Sequence, residues 1–129
     1  MITKLEPRQM IVVGTNDMGL HASGAAAQAY RDFGALMGQA RGALGGQSYG
    51  IATLDRDMQK VPLEDIASQA RDLKTCALAN PDKEFLLTAV GCGIAGFSVE
   101  EIAPLFQNAP SNVVLPDEFI PIPKDLEEE

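Results

Sequence analysis

A glycine-rich segment between an apolar run and a helix-like stretch carries the clearest chemical signal in the sequence. Residues 85–90 read FLLTAV, residues 91–97 read GCGIAGF, and a helix is predicted to begin at Ser98. A strand that feeds a glycine turn at the start of a helix leaves backbone N–H groups unpaired, and the helix dipole there also favours negative charge. Glycine permits positive φ and close approach of a ligand to the backbone. The segment therefore predicts a pocket for a phosphate-bearing small molecule.

A second polar loop, residues 14–21, follows the apolar run Met10–Val13 and carries Asn16 and His21. Ligands of α/β sheets bind outside the carboxyl ends of the strands, so both loops are expected on the same rim. Two phosphates could be bound between the loops, by Asn16, His21 and Gly24 on one side and by the amides of residues 93–97 on the other. His21 is the one histidine of the chain and hence the candidate general base.

Each of these side chains also has a purely structural interpretation. Asn16 could hydrogen-bond its own loop backbone, as Asn commonly does in turns. His21 could be a loop residue bonded to a carbonyl group. Cys92 could be a small buried hydrophobic residue or a thiol with a lowered pKa at a helix N-terminus.

The remaining pattern alternates strands with helices. Strands are predicted at 10–13, 48–53, 85–90 and 112–115, with a glycine-rich loop at 38–46. A first helix is predicted at 25–33, with Ser23 as N-cap, Gly34 as the stop, and one face formed by Ala26, Tyr30 and Phe33. A second helix is predicted at 62–79. A third begins at Ser98, where Ser98 and Glu101 form a capping box. Pro104 predicts a kink or a 3₁₀ turn. This order predicts a three-layer α/β/α fold with a parallel or mixed sheet of four to five strands and three main helices.

Composition limits the class of protein. The 129 residues match one domain, and residues 117–129 read as a proline-punctuated, acidic C-terminal tail. With 18 acidic and 10 basic residues, a net charge of -8 disfavours binding to a nucleic-acid polymer or an anionic membrane. The absence of a long apolar stretch or signal-like segment predicts a cytoplasmic protein. Two cysteines suggest neither a disulfide framework nor a metal site, and no cofactor is predicted.

Two familiar glycine patterns fit poorly. A P-loop requires Lys and a hydroxyl residue directly after its glycines, whereas Phe97 and Ser98 follow here. Gly91, Gly93 and Gly96 satisfy the dinucleotide fingerprint, and Asp117 lies about 20 residues beyond for a ribose contact. That fingerprint belongs on the first strand of a βαβαβ unit, however, and little of this chain follows it.

A third comparison fits better. Residues 13–16 (VGTN), the glycine-led stretch from Gly24 to Gly34, and residues 92–97 (CGIAGF) resemble, in this order, the Asn-bearing strand, the following helix and the diphosphate loop of the macrodomain family. The combination also looks like a group of small, mostly uncharacterised bacterial and phage proteins. The resemblance covers residues 10–115 and implies binding of ADP-ribose or a related NAD-derived nucleotide. The ligand-binding residues that it implies are Gly14, Thr15, Asn16, Gly24, Cys92, Gly93, Ile94, Ala95, Gly96 and Phe97.

The chain departs from the family in two places. Nine residues precede Met10, where macrodomains carry an additional strand and an adenine-binding Asp, so Asp17 or the second loop would have to substitute. Ala25 and Ala26 follow the helix-opening glycine, where hydrolytic members commonly carry an acid. Binding without turnover is therefore preferred. The alternatives are an ADP-ribosyl or phosphoester hydrolase that uses Asn16 and His21, and a counter-defence protein that sequesters a signalling nucleotide.

Overall fold

The computed structural model of the chain describes residues 2–120 and has an α/β architecture. The strands are β1 (Gln9–Asn16), β2 (Gly42–Gly45), β3 (Ser48–Leu54), β4 (Glu84–Leu87) and β5 (Val113–Val114). The helices are α1 (Gly24–Asp32), α2 (Leu63–Ala79) and α3 (Val99–Ile102), and 3₁₀ turns lie at Ala103–Phe106 and Asp117–Phe119. The predicted fold class, with three helices and four to five strands, is confirmed.

All five strands belong to one mixed sheet in the order β2-β3-β1-β4-β5. The strands β1, β3, β4 and β5 run parallel, and β2 alone pairs antiparallel with β3. From β1 the chain passes through α1 to β3 on one side, and from β3 it passes through α2 to β4 on the other side. The strand order thus reverses between β1 and β4, which is where open α/β sheets form a ligand crevice.

The alternation of side chains along β1 divides the core into two layers. Ile11 and Val13 pack with α1, whereas Val12 faces the layer that contains α2. The two main helices therefore cover opposite faces of the sheet. On α1 the buried residues are Ala26 and Ala29, followed by Phe33; Tyr30, which the sequence places on the same face, is 49% exposed.

The structure corrects the prediction of a loop at residues 38–46. Residues 42–45 form the edge strand β2, which pairs with the start of β3 in a tight hairpin. Gly45, the last residue of β2, and Gly46, the first residue of the turn, have φ values of +108° and +54°, a conformation that glycine adopts readily. The same glycines that suggested an irregular loop therefore build the hairpin turn.

Strand β4 ends at Leu87, three residues earlier than the sequence predicted. The Thr88 amide still bonds to the Val12 carbonyl at 3.0 Å, but the Val90 amide turns back to the Thr88 carbonyl at 2.7 Å. Residues 88–90 thereby leave the sheet and fold over its carboxyl edge, so that they belong to the rim and not to the strand.

The segment after the glycine loop is shorter than a full helix. α3 has four residues, its capping box between Ser98 and Glu101 is present as predicted, and a 3₁₀ turn that contains Pro104 begins at Ala103. Farther on, Phe119 is buried and stacks on Phe106 with ring centroids 6.0 Å apart. The predicted tail thus begins with a packed turn, and its residues 121–129 lie outside the described part of the chain. Within residues 2–120, no helix has both the length and the apolar character that crossing a membrane requires.

Candidate functional site

A cavity of about 560 Å³ opens at the carboxyl ends of β1, β3 and β4. Its walls come from the end of β1, from residues 88–91 after β4, from residues 93–95 of the glycine loop and from the start of α1. This is the crevice at which the strand order reverses. The prediction that the two glycine-bearing loops share one rim is confirmed.

The glycine loop presents three consecutive unpaired amides. The Cys92 amide donates to the Ala89 carbonyl at 3.1 Å, and the Gly96 and Phe97 amides donate to the carbonyls of Gly93 at 3.0 Å and Gly91 at 2.8 Å. The N–H groups of residues 93–95, in contrast, have no acceptor within residues 2–120. The loop closes on itself with three bonds and leaves a run of donors on residues that line the cavity, an arrangement typical of anion-binding loops.

A second group of unpaired amides comes from the N-terminus of α1. Ser23 is the N-cap as predicted, but its side chain makes no capping bond. The first intrahelical bond is donated by the Ala27 amide to the Ser23 carbonyl at 3.2 Å, and the N–H groups of residues 24–26 have no acceptor in the described chain. Residues 24–26 line the same cavity. Two donor groups from different elements therefore meet around one space.

The predicted contribution of the helix after the glycine loop is wrong. α3 is a single turn, and none of its residues lines the cavity. Two amides at its start are used by its own capping box: the Glu101 amide donates to Ser98 Oγ at 3.2 Å, and the Ser98 amide donates to Glu101 Oε1 at 2.9 Å. The dipole that favours an anion here belongs to α1, which has nine residues.

The three glycines of the loop have different roles. Gly91 and Gly96 have φ values of +78° and +82°, which disfavour any residue with a side chain. Gly93 does not have a positive φ, and, apart from its two chain neighbours, no heavy atom of residues 2–120 lies within 4 Å of the position that its Cβ would occupy. The backbone fold therefore requires Gly91 and Gly96, whereas at Gly93 the missing side chain leaves space open in the cavity.

The cavity carries no titratable side chain among its described lining residues. The cationic side chain of Lys60 contacts the glycine loop. Its Nζ donates to the Gly96 carbonyl at 3.0 Å and lies 4.8 Å from the centroid of the Phe97 ring. Lys60 is not part of the lining. Recognition of an anion in this cavity would rest on backbone amides and on the α1 dipole.

Asn16 lies in the cavity lining, but its side chain is engaged in the loop. Its Nδ2 donates to the Leu20 carbonyl at 2.8 Å, and its Oδ1 accepts from the Leu20 amide at 3.1 Å. The structural interpretation of Asn16 is confirmed. Gly14 and Thr15 also line the cavity, and the buried Thr15 hydroxyl donates to the Ala40 carbonyl. These three residues shape the wall, while the side-chain polar groups of Thr15 and Asn16 bond within the chain.

The structure does not bring His21 to the cavity. Its ring is buried, its Nε2 lies 2.8 Å from the Leu36 carbonyl oxygen, and its Nδ1 has no partner within the described residues. A general base must reach the reacting atoms, whereas the His21 imidazole does not line the cavity. The alternative interpretation, a loop histidine bonded to a carbonyl, agrees with the structure.

Cys92, Gly96 and Phe97 also lie outside the cavity lining, although the sequence assigned them to the ligand. Burial raises the pKa of the Cys92 thiol, and the nearby carboxylates of Glu118, Glu100 and Glu101 raise it further. Of the two alternatives for Cys92, the direction of this pKa shift disfavours the thiol with a lowered pKa. Phe97 is buried in the layer that contains α2. Of the six residues from 92 to 97, residues 93–95 line the cavity.

Comparison of the chain with protein-family models, curated proteins and solved structures finds no match. Among residues 2–120, no group of three or more His, Cys, Asp or Glu side chains is placed to hold a metal ion. The chemistry of the site is therefore inferred from its geometry.

A second cavity of about 760 Å³ adjoins the first, and both are lined by Gly24, Ala25, Thr88 and Ala89. It extends from α1 towards β5 and contains the polar residues Gln28, Arg31, Asp117 and Glu118. Sequence reasoning considered only Asp117 of these four, and only for a ribose contact. Because ligands bind at the carboxyl ends of parallel strands, Asp117 and Glu118, which come three and four residues after the end of β5, could have been expected near the site. Asp17, the suggested substitute for an adenine-binding acid, lines neither cavity and is paired with Arg41.

Proposed function

We propose that the protein binds a diphosphate-containing nucleotide of the ADP-ribose or NAD-derived class. The observation that supports this proposal is that two sets of unpaired backbone amides, those of residues 93–95 and those of residues 24–26, lie around one cavity. Backbone amides and a helix N-terminus bind phosphate oxygens without any basic side chain. The macrodomain-like order of motifs in the sequence independently suggests the same class of ligand.

The two adjoining cavities favour a ligand with a central diphosphate and a group at each end. A diphosphate at their junction, near Gly24 and Thr88, would direct one end towards Asn16 and the other towards Asp117 and Glu118. The carboxylates of the acidic pair accept hydrogen bonds, which suits the exocyclic amine of a nucleobase such as adenine. A mononucleotide would leave one cavity empty. This shape therefore supports ADP-ribose-like ligands over shorter nucleotides.

Binding without turnover is the preferred form of the proposal. The first cavity has no acid or base among its described lining residues, and general acid–base catalysis needs a titratable group within hydrogen-bond reach of the substrate. No observation specifically favours hydrolysis. A protein that sequesters a signalling nucleotide would use the same site and would release its ligand chemically unaltered.

Gly93→Asp tests the proposal most directly. An added side chain meets no atom within 4 Å at this position, so the fold should be retained, while the new carboxylate would repel a phosphate bound to the adjacent amides. Isothermal titration calorimetry with ADP-ribose should show binding to the natural protein and about a hundredfold weaker binding to the variant. Its thermal unfolding should confirm that the fold is intact.

Ser111→Asp is the matched control, because Ser111 is exposed and precedes β5 at the opposite edge of the sheet. This variant carries the same added charge and should bind ADP-ribose as the natural protein does. Recovery of intact ADP-ribose after denaturation, measured by chromatography, distinguishes binding from hydrolysis. Equal affinity of the Gly93→Asp and natural proteins would contradict the proposed site.

A further inference from the structure

Three exposed apolar side chains surround the outer part of the first cavity. Leu20, Met58 and Ile94 are 52%, 45% and 78% exposed, and all three line this cavity. They come from the loops that follow β1, β3 and β4. Three separate loops thus place large apolar side chains in water around the same opening.

The packing of the fold does not account for these side chains. None of the three belongs to either of the two core clusters of the described chain. Burial of such groups stabilises a protein only when it removes them from water. Their position at a cavity mouth instead fits a ligand surface that becomes buried against them.

The backbone conformation of Met58 also indicates that the fold does not require this side chain. Its φ is +61°, a conformation in which Asn or Gly is preferred over a long side chain. Its turn is held by the Asp55 carboxylate, which accepts hydrogen bonds from the amides of Asp57 at 2.8 Å and Gln59 at 3.0 Å. Neither bond involves the Met58 side chain. The turn therefore holds a thioether at the mouth, although another residue type would suit its backbone better.

The polar groups of this mouth offer few partners to a bare sugar. Of the polar side chains in the described lining, those of Thr15, Asn16, Thr53 and Thr88 are hydrogen-bonded within the chain, and the hydroxyl of Ser23 alone has no such bond to the described residues. A ribose without a base would place its hydroxyl groups beside apolar side chains. A flat aromatic ring would instead bury its faces against them, and methionine sulfur also makes favourable contacts with aromatic rings.

We infer that the mouth formed by Leu20, Met58 and Ile94 holds an aromatic ring at the far end of the ligand, so that the protein prefers an intact dinucleotide such as NAD to ADP-ribose. This inference rests on the proposed function, since it assumes that a diphosphate lies at the amides of residues 93–95. It adds that the ligand carries a ring at both ends. The side chains of Leu20, Met58 and Ile94 would then determine specificity.

Calorimetric titration with NAD and with ADP-ribose tests the inference. The natural protein should bind NAD about tenfold more tightly than ADP-ribose. In the double variant Leu20→Ser with Met58→Asn, affinity for NAD should fall to that for ADP-ribose, and affinity for ADP-ribose should change by less than about twofold. Asn suits the positive φ at position 58, so this variant should fold. Chromatography of the recovered ligand shows that NAD stayed intact.

Leu78→Ser is the control, because Leu78 is 71% exposed on α2 and lines neither cavity. It should retain the tenfold preference. Equal affinities of the natural protein for the two ligands, or an unchanged preference in the double variant, would overturn the inference and leave the proposed function standing. Failure of the natural protein to bind either ligand would overturn both.

Discussion

The glycine residues of the loop have two different roles. Some allow a backbone conformation that other residues disfavour, and one leaves space open in the cavity. At Gly91 an added Cβ would lie 3.1 Å from the Phe97 ring and 3.3 Å from the Thr53 methyl group, in addition to the strain of its positive φ. At Gly93 neither constraint exists. A sequence pattern such as Gly-x-Gly cannot separate these two causes, because both give the same letter. Only the second type of glycine is informative about a ligand.

Gly91→Ala and Gly93→Ala should therefore differ sharply in stability. The first change should lower the free energy of unfolding by about 1–3 kcal/mol, since alanine is strained at positive φ and its methyl group crowds Phe97. The second should change it by less than about 0.5 kcal/mol. Urea denaturation of the two variants measures both values, and equal losses would show that Gly93 also has a backbone role.

At the scale of elements, a glutamine side chain completes the edge of a strand. β2 covers β3 only as far as Gly50, and beyond that point the buried Gln69 of α2 takes the place of a neighbouring strand. Its Oε1 accepts from the Ala52 amide at 2.7 Å, and its Nε2 donates to the Ala52 carbonyl at 2.8 Å. Buried backbone groups need such partners. The contact fixes α2 to the half of β3 that carries Thr53 and Leu54 to the cavity.

Gln69→Leu should lower the free energy of unfolding by about 2–4 kcal/mol, because the amide and the carbonyl group of Ala52 would both lose their partner in a buried place. Ser68→Ala, at an exposed position on the same helix, should have little effect. Chemical denaturation of both variants provides the comparison. A loss below about 1 kcal/mol for Gln69→Leu would mean that water or another group replaces the side chain.

An arginine joins three further elements. Arg41, just before β2, donates from Nε to Asp17 Oδ1 at 2.8 Å and from Nη1 to Asp65 Oδ1 at 2.7 Å. It thereby ties the loop after β1 to the first turn of α2. Hydrogen bonds from Arg41 hold the pKa of Asp17 below its usual range. The loop that it holds contributes Asn16, Met18 and Leu20 to the cavity wall.

Arg41→Met should reduce stability at neutral pH by about 1 kcal/mol, a modest value because the groups are partly exposed. A carboxylate with a lowered folded-state pKa stabilises the fold above its unfolded pKa of about 3.9, and this contribution is lost as the pH falls through the lower, folded-state pKa. The difference between the natural and Arg41→Met proteins should therefore shrink in acid. Denaturation curves at several pH values measure it, with the exposed Arg71→Met as control. A difference that is constant with pH would exclude the ion pair as its cause.

At the scale of the whole molecule, a strongly acidic protein presents a cavity without charged side chains. The net charge of -8 repels an anionic ligand at long range, while unpaired amides attract it at short range. Most phosphate sites combine amides with Lys or Arg. Here the described lining of the first cavity has neither. The two contributions respond differently to salt, because screening acts mainly on the distant charges.

The affinity for ADP-ribose should consequently increase with ionic strength. Raising salt from about 20 to 200 mM should tighten binding roughly two- to threefold, because salt screens the repulsion and leaves the contacts with the amides in place. Calorimetry or equilibrium dialysis across this range measures the trend. Weaker binding at higher salt would point to a basic contact instead, with Arg31 of the second cavity as the candidate.

The sequence by itself determined the elements whose signals are local. The period of α2, the capping box at Ser98 and Glu101, the stop at Gly34 and the apolar run of β1 all depend on neighbouring residues, and the structure agrees with each. The alternation of strands and helices likewise predicted the fold class and placed both loops at one rim. These features follow from propensity and periodicity, which short segments express without the rest of the chain.

The tertiary structure alone decided which groups face the cavity. Asn16 and His21 are polar residues in the predicted loop, yet their bonds to the carbonyls of Leu20 and Leu36 engage them within the chain. The second cavity arises because β5 lies beside β4, which brings Asp117 and Glu118 towards α1 across a long stretch of sequence. Whether a donor is free depends on every acceptor that the fold brings near it. That information lies in the three-dimensional packing of distant segments and not in the local pattern of residues.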